Sequence, residues 1–447
     1  MTGTNSISIF KKAYKYLFLN SVGIAPLATF RIAFGILMLI STIRFWYMGW
    51  IEQLYCNPTF FFKYYGFHWI PAPSETAIYA VFILLILSCI CISLGLFYRF
   101  SILTFFLLFT YTELIDASNY LNHYYFISII AFLLIFLPAN KYFALDNFIL
   151  NNRQDKVAAW QINIIKLQLG ILYFYAGLAK LNSTWLFEAL PLKIWLPSKV
   201  HLPVIGQWLS YNATAYLFSW GGALFDLSIF FLLIYQGTRV YAYGMVIVFH
   251  LLTWYLFPIG MFSFVMIAST LIFFSENSHR KIYEFVSATA AIPQTPSHFK
   301  LNKFSLVTLT FYISFQLLFP FRHVLYTDNL FWTEQGYRFS WRVMLMEKVG
   351  YATFTVKDRT GKIELVDNSI YLSPFQEKMM STQADFIIQY ANFLKTEYEQ
   401  KGFKIPEIYA DIFVSLNGAG SRRFIHPAVD LANLKDTFAP KKFILPF

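Results

Sequence analysis

The chain has 447 residues, of which 57% are hydrophobic and 13% are charged, whereas about a quarter of residues are charged in soluble proteins. So much apolar surface excludes a water-soluble globular fold and predicts a polytopic α-helical membrane protein. The formal net charge of +11 falls largely in short loops beside apolar runs, where it faces anionic lipid head groups. We therefore expect membrane lipid, and no nucleic acid, as a partner.

Nine apolar runs predict about nine transmembrane helices, in a domain that covers residues 1–319. Several runs have the roughly 20 residues that a helix needs to cross about 30 Å of hydrocarbon, whereas the third and eighth runs fall short. In chain order the runs lie at residues 27–48, 76–97, 101–115, 121–138, 162–181, 216–235, 239–257, 260–275 and 303–319.

The distribution of basic residues predicts the orientation, because short cytoplasmic loops collect Lys and Arg. With the N-terminus in the cytoplasm, the outside loops hold only Lys63, Lys193 and Lys199. The inside segments hold Lys11, Lys12, Lys15, Arg99, Lys141, Arg153, Lys156, Arg239, Arg280, Lys281, Lys300 and Lys303. We predict a multi-pass protein of a bacterial inner (plasma) membrane with its C-terminal region on the exported side.

The composition changes near residue 320, and residues 320–447 are predicted to form an exported-side α+β cap domain. Alternating apolar residues and a turn rich in Asp and Gly predict a β-hairpin, and apolar residues at helical spacing predict a helix after it. The predicted elements are strands at 351–357, 362–366 and 407–415, a turn at 358–361 and a helix at about 374–400.

Five ionisable residues lie inside the predicted spans: Arg31, His123, Lys180, Asp226 and His250. An ionisable side chain in a bilayer is costly by at least about 2.5 kcal/mol, so each one requires a partner or a function. The alternating directions of the spans bring Lys180 and both histidines towards one cavity in the exported half of the bilayer. Arg31 starts on the cytoplasmic side and is predicted to bond a carbonyl or a head group.

Each of these residues also has an alternative interpretation. Lys180 lies near a helix end, from which a lysine can extend to the head groups, and a membrane histidine often bonds only a neighbouring helix. For Asp226, a role in the cavity and a hydrogen bond between helices stay equally open. The convergence of the three basic residues, with Asn122 beside His123 and Asn182 close to Lys180, favours a functional site. No Cys/His spacing indicates a metal.

The stretches around these residues resemble the vitamin K-dependent gamma-glutamyl carboxylases. The similarity runs from about residue 25 almost to the C-terminus and covers both predicted domains. The resembling segments are 122–126, 172–181, 225–228, 249–250, 259–266, 335–337, 339–341 and 408–415.

The resemblance implies an enzyme whose reactants are reduced vitamin K (a menaquinol or phylloquinol), dioxygen and carbon dioxide. Oxygenation of the quinol to its epoxide drives removal of a γ-proton from a glutamate in a protein or peptide, and carbon dioxide then adds to that carbon. The resemblance implies no metal.

The resemblance also implies roles for particular residues. Lys180 occupies the position of the lysine that deprotonates the quinol, which requires an uncharged amine and therefore a buried site. His123 and His250 are implied to contact the quinone oxygens or the oxygenated intermediate. The remaining residues expected to bind quinone or substrate are Asn122, Asn182, Tyr337 and Trp341.

The chain also departs from the family pattern. Ala179 replaces the first of two adjacent lysines, Gly336 replaces a large apolar residue beside Tyr337, and histidines of the family are absent from residues 346–351. Quinol oxygenation is therefore better supported than carboxylation. The alternatives are a quinol epoxidase without carboxylation, a non-enzymatic membrane transporter or lipid-binding protein, and a structural membrane protein.

Overall fold

The computed structural model of the chain describes residues 18–286 and 303–447. Four lysines of the predicted cytoplasmic segments, Lys11, Lys12, Lys15 and Lys300, lie outside these described residues. A short antiparallel pair, β1 (Ser21–Gly23) with β2 (Lys156–Ala158), ties the start of the first long helix to the start of a later one.

Each of the nine predicted apolar runs is helical in the structure, and short helices lie between them. In chain order the helices are α1 (Ala25–Tyr47), α2 (Glu75–Leu94), α3 (Tyr98–Ile115), α4 (Asn122–Phe136), α5 (Leu145–Leu150), α6 (Ala159–Ala179), α7 (Ser183–Leu186), α8 (Leu192–Trp195), α9 (Asn212–Ile234), α10 (Arg239–Leu256), α11 (Phe262–Thr270), α12 (Glu276–Val286) and α13 (Lys303–Leu318). A 3-10 turn, Phe319–Leu325, extends α13.

Six helical segments among the described residues are long and apolar enough to cross a membrane: α1, α2, α3, α6, α9 and Lys303–Leu325. The multi-pass architecture is therefore supported, whereas the predicted count of nine is not confirmed. The third run, predicted to be short, forms an 18-residue helix that qualifies. Helix α4 and the segment Phe262–Phe273 are apolar but shorter, and α10, with 18 residues, includes Arg239 and His250.

Arg31 confirms the prediction of a carbonyl partner. Its guanidinium is fully buried and donates hydrogen bonds to the carbonyl oxygens of Ile92 at 2.7 Å, Ser93 at 2.9 Å and Phe143 at 2.6 Å. These carbonyls lie at the end of α2 and just before α5, so the arginine joins three parts of the chain.

Helices α6 and α9 pack closely enough to require glycine on α6. A Cβ at Gly170 would lie 2.6 Å from the ring of Phe230, and one at Gly177 would lie 2.9 Å from the backbone nitrogen of Leu227. Small residues allow such close approach between membrane helices. The contact brings Asp226 on α9 next to the end of α6.

The C-terminal region contains a four-stranded antiparallel sheet in the order β4-β3-β5-β6. The predicted hairpin is confirmed, with Thr355 opposite Leu365, and the predicted last strand is β5. Three helices accompany the sheet. The elements are α14 (Leu330–Thr333), β3 (Lys348–Lys357), β4 (Ile363–Leu365), α15 (Pro374–Met380), α16 (Ala384–Gln400), β5 (Glu407–Leu416) and β6 (Arg422–Arg423).

The helix predicted at 374–400 is two helices, α15 and α16, separated at residues 381–383. Helix α15 starts with a capping box, in which Ser373 accepts from the backbone of Gln376 and the Gln376 side chain accepts from the backbone of Ser373. Strand β3 packs tightly against the break, because a Cβ at Gly350 would lie 2.8 Å from the Ser381 carbonyl oxygen.

The loop between α1 and α2 joins the C-terminal region to the membrane helices. The Gln376 amide donates to the Phe60 carbonyl at 2.7 Å and to the Asp116 carboxylate at 2.8 Å. Phe62 is fully buried, and its ring centroid lies 4.5 Å from that of Phe386 on α16. The cap is therefore held at the end of the helix bundle where this loop lies.

Candidate functional site

Lys180 follows directly after α6 and is buried. Its Nζ lies 2.6 Å from the Oδ2 of Asp226 on α9 and donates to the Ala176 carbonyl at 3.2 Å. The side chain therefore turns back along its own helix instead of extending to head groups. This geometry contradicts the interpretation of Lys180 as a snorkelling lysine.

The amine faces a small cavity of about 110 Å³, which we call the lysine cavity. Its walls are mostly aromatic, and its polar groups are few. The rings come from Trp185, Trp195, Phe218, Phe249, Phe257 and Phe262, and the polar side chains are those of Tyr173, Lys180, Asp226, His250 and Thr253. The cavity thus brings Lys180 and His250 together, as the sequence predicted, and adds Asp226 and Tyr173.

His250 is buried on α10 and is oriented by a tyrosine on α6. The hydroxyl of Tyr173 lies 2.9 Å from the Nε2 of His250, so this pair fixes the plane of the imidazole. A histidine has two ring nitrogens, and a partner on one of them determines how the other is presented. His250 can therefore offer Nδ1 to a ligand in the lysine cavity.

Gly222 keeps space open next to the amine. It lines the cavity one helical turn before Asp226, and a Cβ there would lie 4.0 Å from the Cε of Lys180 and from the ring of Trp185. Alanine would fit at this distance, whereas a longer side chain would enter the cavity.

Asn182 supports the wall of the cavity and lies outside its lining. Its Oδ1 accepts from the backbone N–H of Trp185 at 2.9 Å, and its Nδ2 donates to the Ala179 carbonyl at 2.9 Å. These bonds cap α7 and hold Trp185, whose ring lies 5.5 Å from the Lys180 Nζ. Asn182 is therefore placed to position Trp185, with both ends of its amide already bonded.

His123 lies behind one wall of the lysine cavity. Its ring stacks on Phe262 with centroids 5.4 Å apart, and the Phe262 ring in turn lies 6.3 Å from that of His250. The structure therefore separates the two histidines by one phenylalanine, although the sequence predicted that they share one cavity.

Asn122 connects the start of α4 to the segment that precedes the sheet. Its Nδ2 donates to the Arg342 carbonyl at 2.8 Å, and its Oδ1 accepts from the Tyr120 hydroxyl at 3.0 Å. The same hydroxyl accepts from the backbone N–H of Phe339 at 2.7 Å. Asn122 therefore holds residues 339–342 against the membrane helices.

Trp341 is fully buried within this segment and stacks on Tyr125, with ring centroids 4.9 Å apart. Its indole Nε1 has no hydrogen-bond partner among the described residues. The backbone here is unusual, because Phe339, Trp341 and Met344 have φ values of 58°, 57° and 54°. Met344 lines the lysine cavity, so this segment connects that cavity with the cap.

Tyr337 lines a second cavity, of about 300 Å³, between the helix bundle and the cap, which we call the junction cavity. The charged residues in its lining are Arg322, Glu334, Arg338, Asp385, Asp436 and Lys441. Arg338 pairs with Asp385, and Lys441 pairs with Asp436 at 2.8 Å. Burial alone would raise the pKa of Asp385, but the guanidinium of Arg338 holds that pKa below its usual range.

Gly336, beside Tyr337, has no room for a side chain. Its φ is +81°, and a Cβ would lie 2.8 Å from the Cα of His323. Any side chain at this position would require the backbone at His323 to move.

Two protein-family models match the sequence. The HTTM domain matches residues 19–277, and the lumenal domain of vitamin K-dependent gamma-carboxylase matches residues 301–447. No solved structure matches the chain. The fold and the first match define a multi-pass HTTM-domain membrane protein.

With the second match, the chain belongs to the vitamin K-dependent gamma-glutamyl carboxylase family. Membership implies an enzyme of the gamma-carboxylase type that uses reduced vitamin K, dioxygen and carbon dioxide.

Proposed function

We propose that the protein oxygenates a reduced naphthoquinone, vitamin K hydroquinone, to its epoxide and couples this reaction to γ-carboxylation of glutamate in a protein or peptide. One observation carries the proposal: the Lys180 amine is buried in an aromatic cavity, 2.6 Å from the Asp226 carboxylate. An amine that lines a ligand cavity and has only two hydrogen-bond partners can exchange a proton with a bound ligand.

The side chains that line the lysine cavity suit a reduced naphthoquinone in their chemistry, and the cavity of about 110 Å³ must widen to admit its ring, because ligand pockets usually span about 300–1,000 Å³. Flat aromatic walls suit a fused aromatic ring, and the amine and imidazole can each hydrogen-bond an oxygen on such a ring. The chemistry that the bound hydroquinone supplies is its reaction with dioxygen. The energy of that reaction drives the removal of a proton from carbon.

Lys180 takes the proton of a quinol hydroxyl at its Nζ, and Asp226 positions that nitrogen. An ammonium has three donors; here one points to Asp226 and one to the Ala176 carbonyl, which leaves the third direction for a ligand. To accept the quinol proton, the amine must be uncharged and must present its lone pair in this third direction, while its two N–H groups stay bonded to Asp226 and Ala176. The two residues thus function as one unit.

His250 donates a hydrogen bond to a ligand oxygen, with its orientation held by Tyr173. The surrounding rings exclude water, which strengthens electrostatic interactions inside the cavity. Phe249 stacks on Phe225 with centroids 4.0 Å apart, and both rings lie against the imidazole of His250.

We infer that the glutamate reaches the lysine cavity through the junction cavity and along residues 337–344. Tyr337 lines that cavity, and Met344, in the same stretch of chain, lines the lysine cavity. Asn122 is bonded to Arg342 of this stretch, and His123 lies behind the Phe262 wall of the lysine cavity rather than in it. We therefore assign both residues to the step on glutamate.

The central test is the substitution Lys180→Met, assayed as purified protein with reduced naphthoquinone and oxygen. Epoxide formation, measured by chromatography, should fall by at least about 10²-fold, the lower range for loss of a general base. Lys199→Met is the matched control, because Lys199 lies between α8 and α9 outside the cavity; it should retain full activity. Unchanged turnover in Lys180→Met would overturn the proposal.

A second substitution, His123→Ala, tests the separation of the two steps. With labelled carbon dioxide and a glutamate peptide, we expect epoxide formation to persist while incorporated label falls by about 10²-fold. Equal loss of both products would instead put His123 in the quinol step. Epoxide without label in the unmodified protein would indicate a quinol epoxidase alone.

The transporter alternative makes a different prediction in sealed vesicles. Movement of a labelled quinone across the membrane, without oxygen uptake, would support it and contradict the enzymatic proposal.

A further inference from the structure

Lys166 is a second lysine on α6, within a helix that is apolar enough to cross a membrane. It lies seven residues after the helix start, which is about 10 Å along the axis at 1.5 Å per residue. A cation at such a depth is costly unless a partner compensates its charge. Lys166 lies near the opposite end of α6 from Lys180, so it is remote from the lysine cavity.

Lys166 lines a cavity of about 330 Å³ between helices, which we call the lipid-side cavity. Arg239, the first residue of α10, lines it as well, and within the described part of the chain no acidic residue does. Two basic side chains thus line one space, and an anionic group is complementary to them.

Each cation has a defined setting. The Arg239 guanidinium donates to the carbonyl oxygens of Leu233 and Ile234, both at 2.9 Å, at the end of α9. The Lys166 Nζ lies 5.7 Å from the centroid of the Phe273 ring. Arg239 is therefore held at the helix ends, and Lys166 is the deeper cation.

Apart from Asn163, the remaining walls are largely apolar and include Phe230, Phe273, Leu309 and Ile313. The last two belong to the segment Lys303–Leu325, of which only 17% is buried inside the protein. An acyl chain can pack along this loosely covered helix, whereas a small soluble anion would leave these walls without contacts.

We propose that the lipid-side cavity binds an anionic phospholipid, with its phosphate between Lys166 and Arg239 and an acyl chain against Leu309 and Ile313. Basic pockets between membrane helices recognise anionic head groups in this way. The site is independent of the quinol chemistry, because it lies at the other end of α6.

The test uses the full chain in detergent micelles, titrated with phosphatidylglycerol or phosphatidylcholine. Native mass spectrometry measures bound lipid, and thermal unfolding measures stabilisation. Phosphatidylglycerol should bind more tightly, and Lys166→Met should weaken it about fivefold to tenfold, the effect of one basic residue. Lys156→Met is the matched control, because Lys156 lies in β2 outside the cavity; it should bind like the unmodified protein, and Lys166→Arg should retain binding.

Three outcomes would overturn the proposal. These are equal binding of the two lipids, unchanged phosphatidylglycerol binding in Lys166→Met, and full stabilisation by inorganic phosphate alone, which would identify a soluble anion. The native spectrum of the unmodified protein gives a result even if a variant folds poorly.

Discussion

Two buried lysines, one at the end of a membrane helix and one in the cap, both pair with a carboxylate. In the cap, Lys348 donates to the carboxylate of Glu334 at 2.9 Å and to the carbonyls of Trp332 and Thr382, both at 2.6 Å. All three of its donors are used. Lys180 has a carboxylate and one carbonyl as partners and faces a cavity.

The difference separates a structural lysine from a chemical one. A lysine with three partners is fixed and has no donor or lone pair to offer, whereas a lysine with an open side can exchange a proton with a ligand. Burial alone does not distinguish them, since both side chains are less than a tenth exposed. The two lysines differ instead in the number of their hydrogen-bond partners and in the cavity that adjoins Lys180.

The largest expected effect comes from changing the membrane pair. Asp226→Leu leaves a buried ammonium unpaired and should destabilise the protein by about 3–5 kcal/mol. The double variant Lys180→Met/Asp226→Leu replaces both charges by apolar groups and should recover stability while forming no epoxide. Thermal unfolding and epoxide formation are measured on the same preparations.

This double variant distinguishes chemistry from folding. An inactive protein with restored stability means that the lysine is required for the reaction itself. Epoxide formation by the double variant would contradict the assignment of Lys180 as the base.

The next effect is expected in the cap. Lys348→Met leaves Glu334 and two carbonyls without their donor and should destabilise the cap by about 3 kcal/mol. Epoxide formed per folded molecule should not change, because Lys348 lies in the sheet, outside the lysine cavity. Limited proteolysis and thermal unfolding report the loss. A loss of turnover in Lys348→Met with normal stability would contradict the assignment of Lys348 as a structural lysine.

The smallest effect concerns the pair of Arg338 and Asp385 at the junction cavity. The pKa of Asp385 is lower in the folded protein than its unfolded value of about 3.9. The pair therefore contributes stability above that value, and this contribution is lost as the pH falls through the lower folded-state pKa. Asp385→Asn should lower stability by about 1 kcal/mol near neutral pH.

Unfolding temperatures of the unmodified protein and of the Asp385→Asn variant, measured from pH 7 to pH 3, test this expectation. The difference should be constant near neutrality and should shrink in acid. A difference that persists unchanged at pH 3 would contradict the stated pKa direction.

Local patterns in the sequence predicted most elements of the fold. The alternation at 351–357 and the turn after it are sufficient for a hairpin, and apolar runs are sufficient for helices. The break between α15 and α16 was missed; Ser381 at this break packs against Gly350, a contact between residues far apart in sequence that no local pattern indicates.

The site was predicted in part. Lys180, His123 and His250 are unusual in apolar surroundings, so the sequence singles them out. Asp226 was noted as a buried carboxylate, but its pairing with a lysine 46 residues away depends on the glycine contacts between α6 and α9. Tyr173 is one of 30 tyrosines and carries no distinguishing signal. The ring of Phe262 between the histidines also follows only from packing.

The left-handed backbone at Phe339, Trp341 and Met344 limits how the cap can be exchanged among relatives. Each such residue is unfavourable by about 1–2 kcal/mol in isolation, and here contacts from Asn122, Tyr120 and Tyr125 on the membrane side maintain the conformation. A cap transplanted onto a foreign helix bundle without these three partners would relax along this segment. A functional chimera must therefore carry residues 120–125 together with its cap.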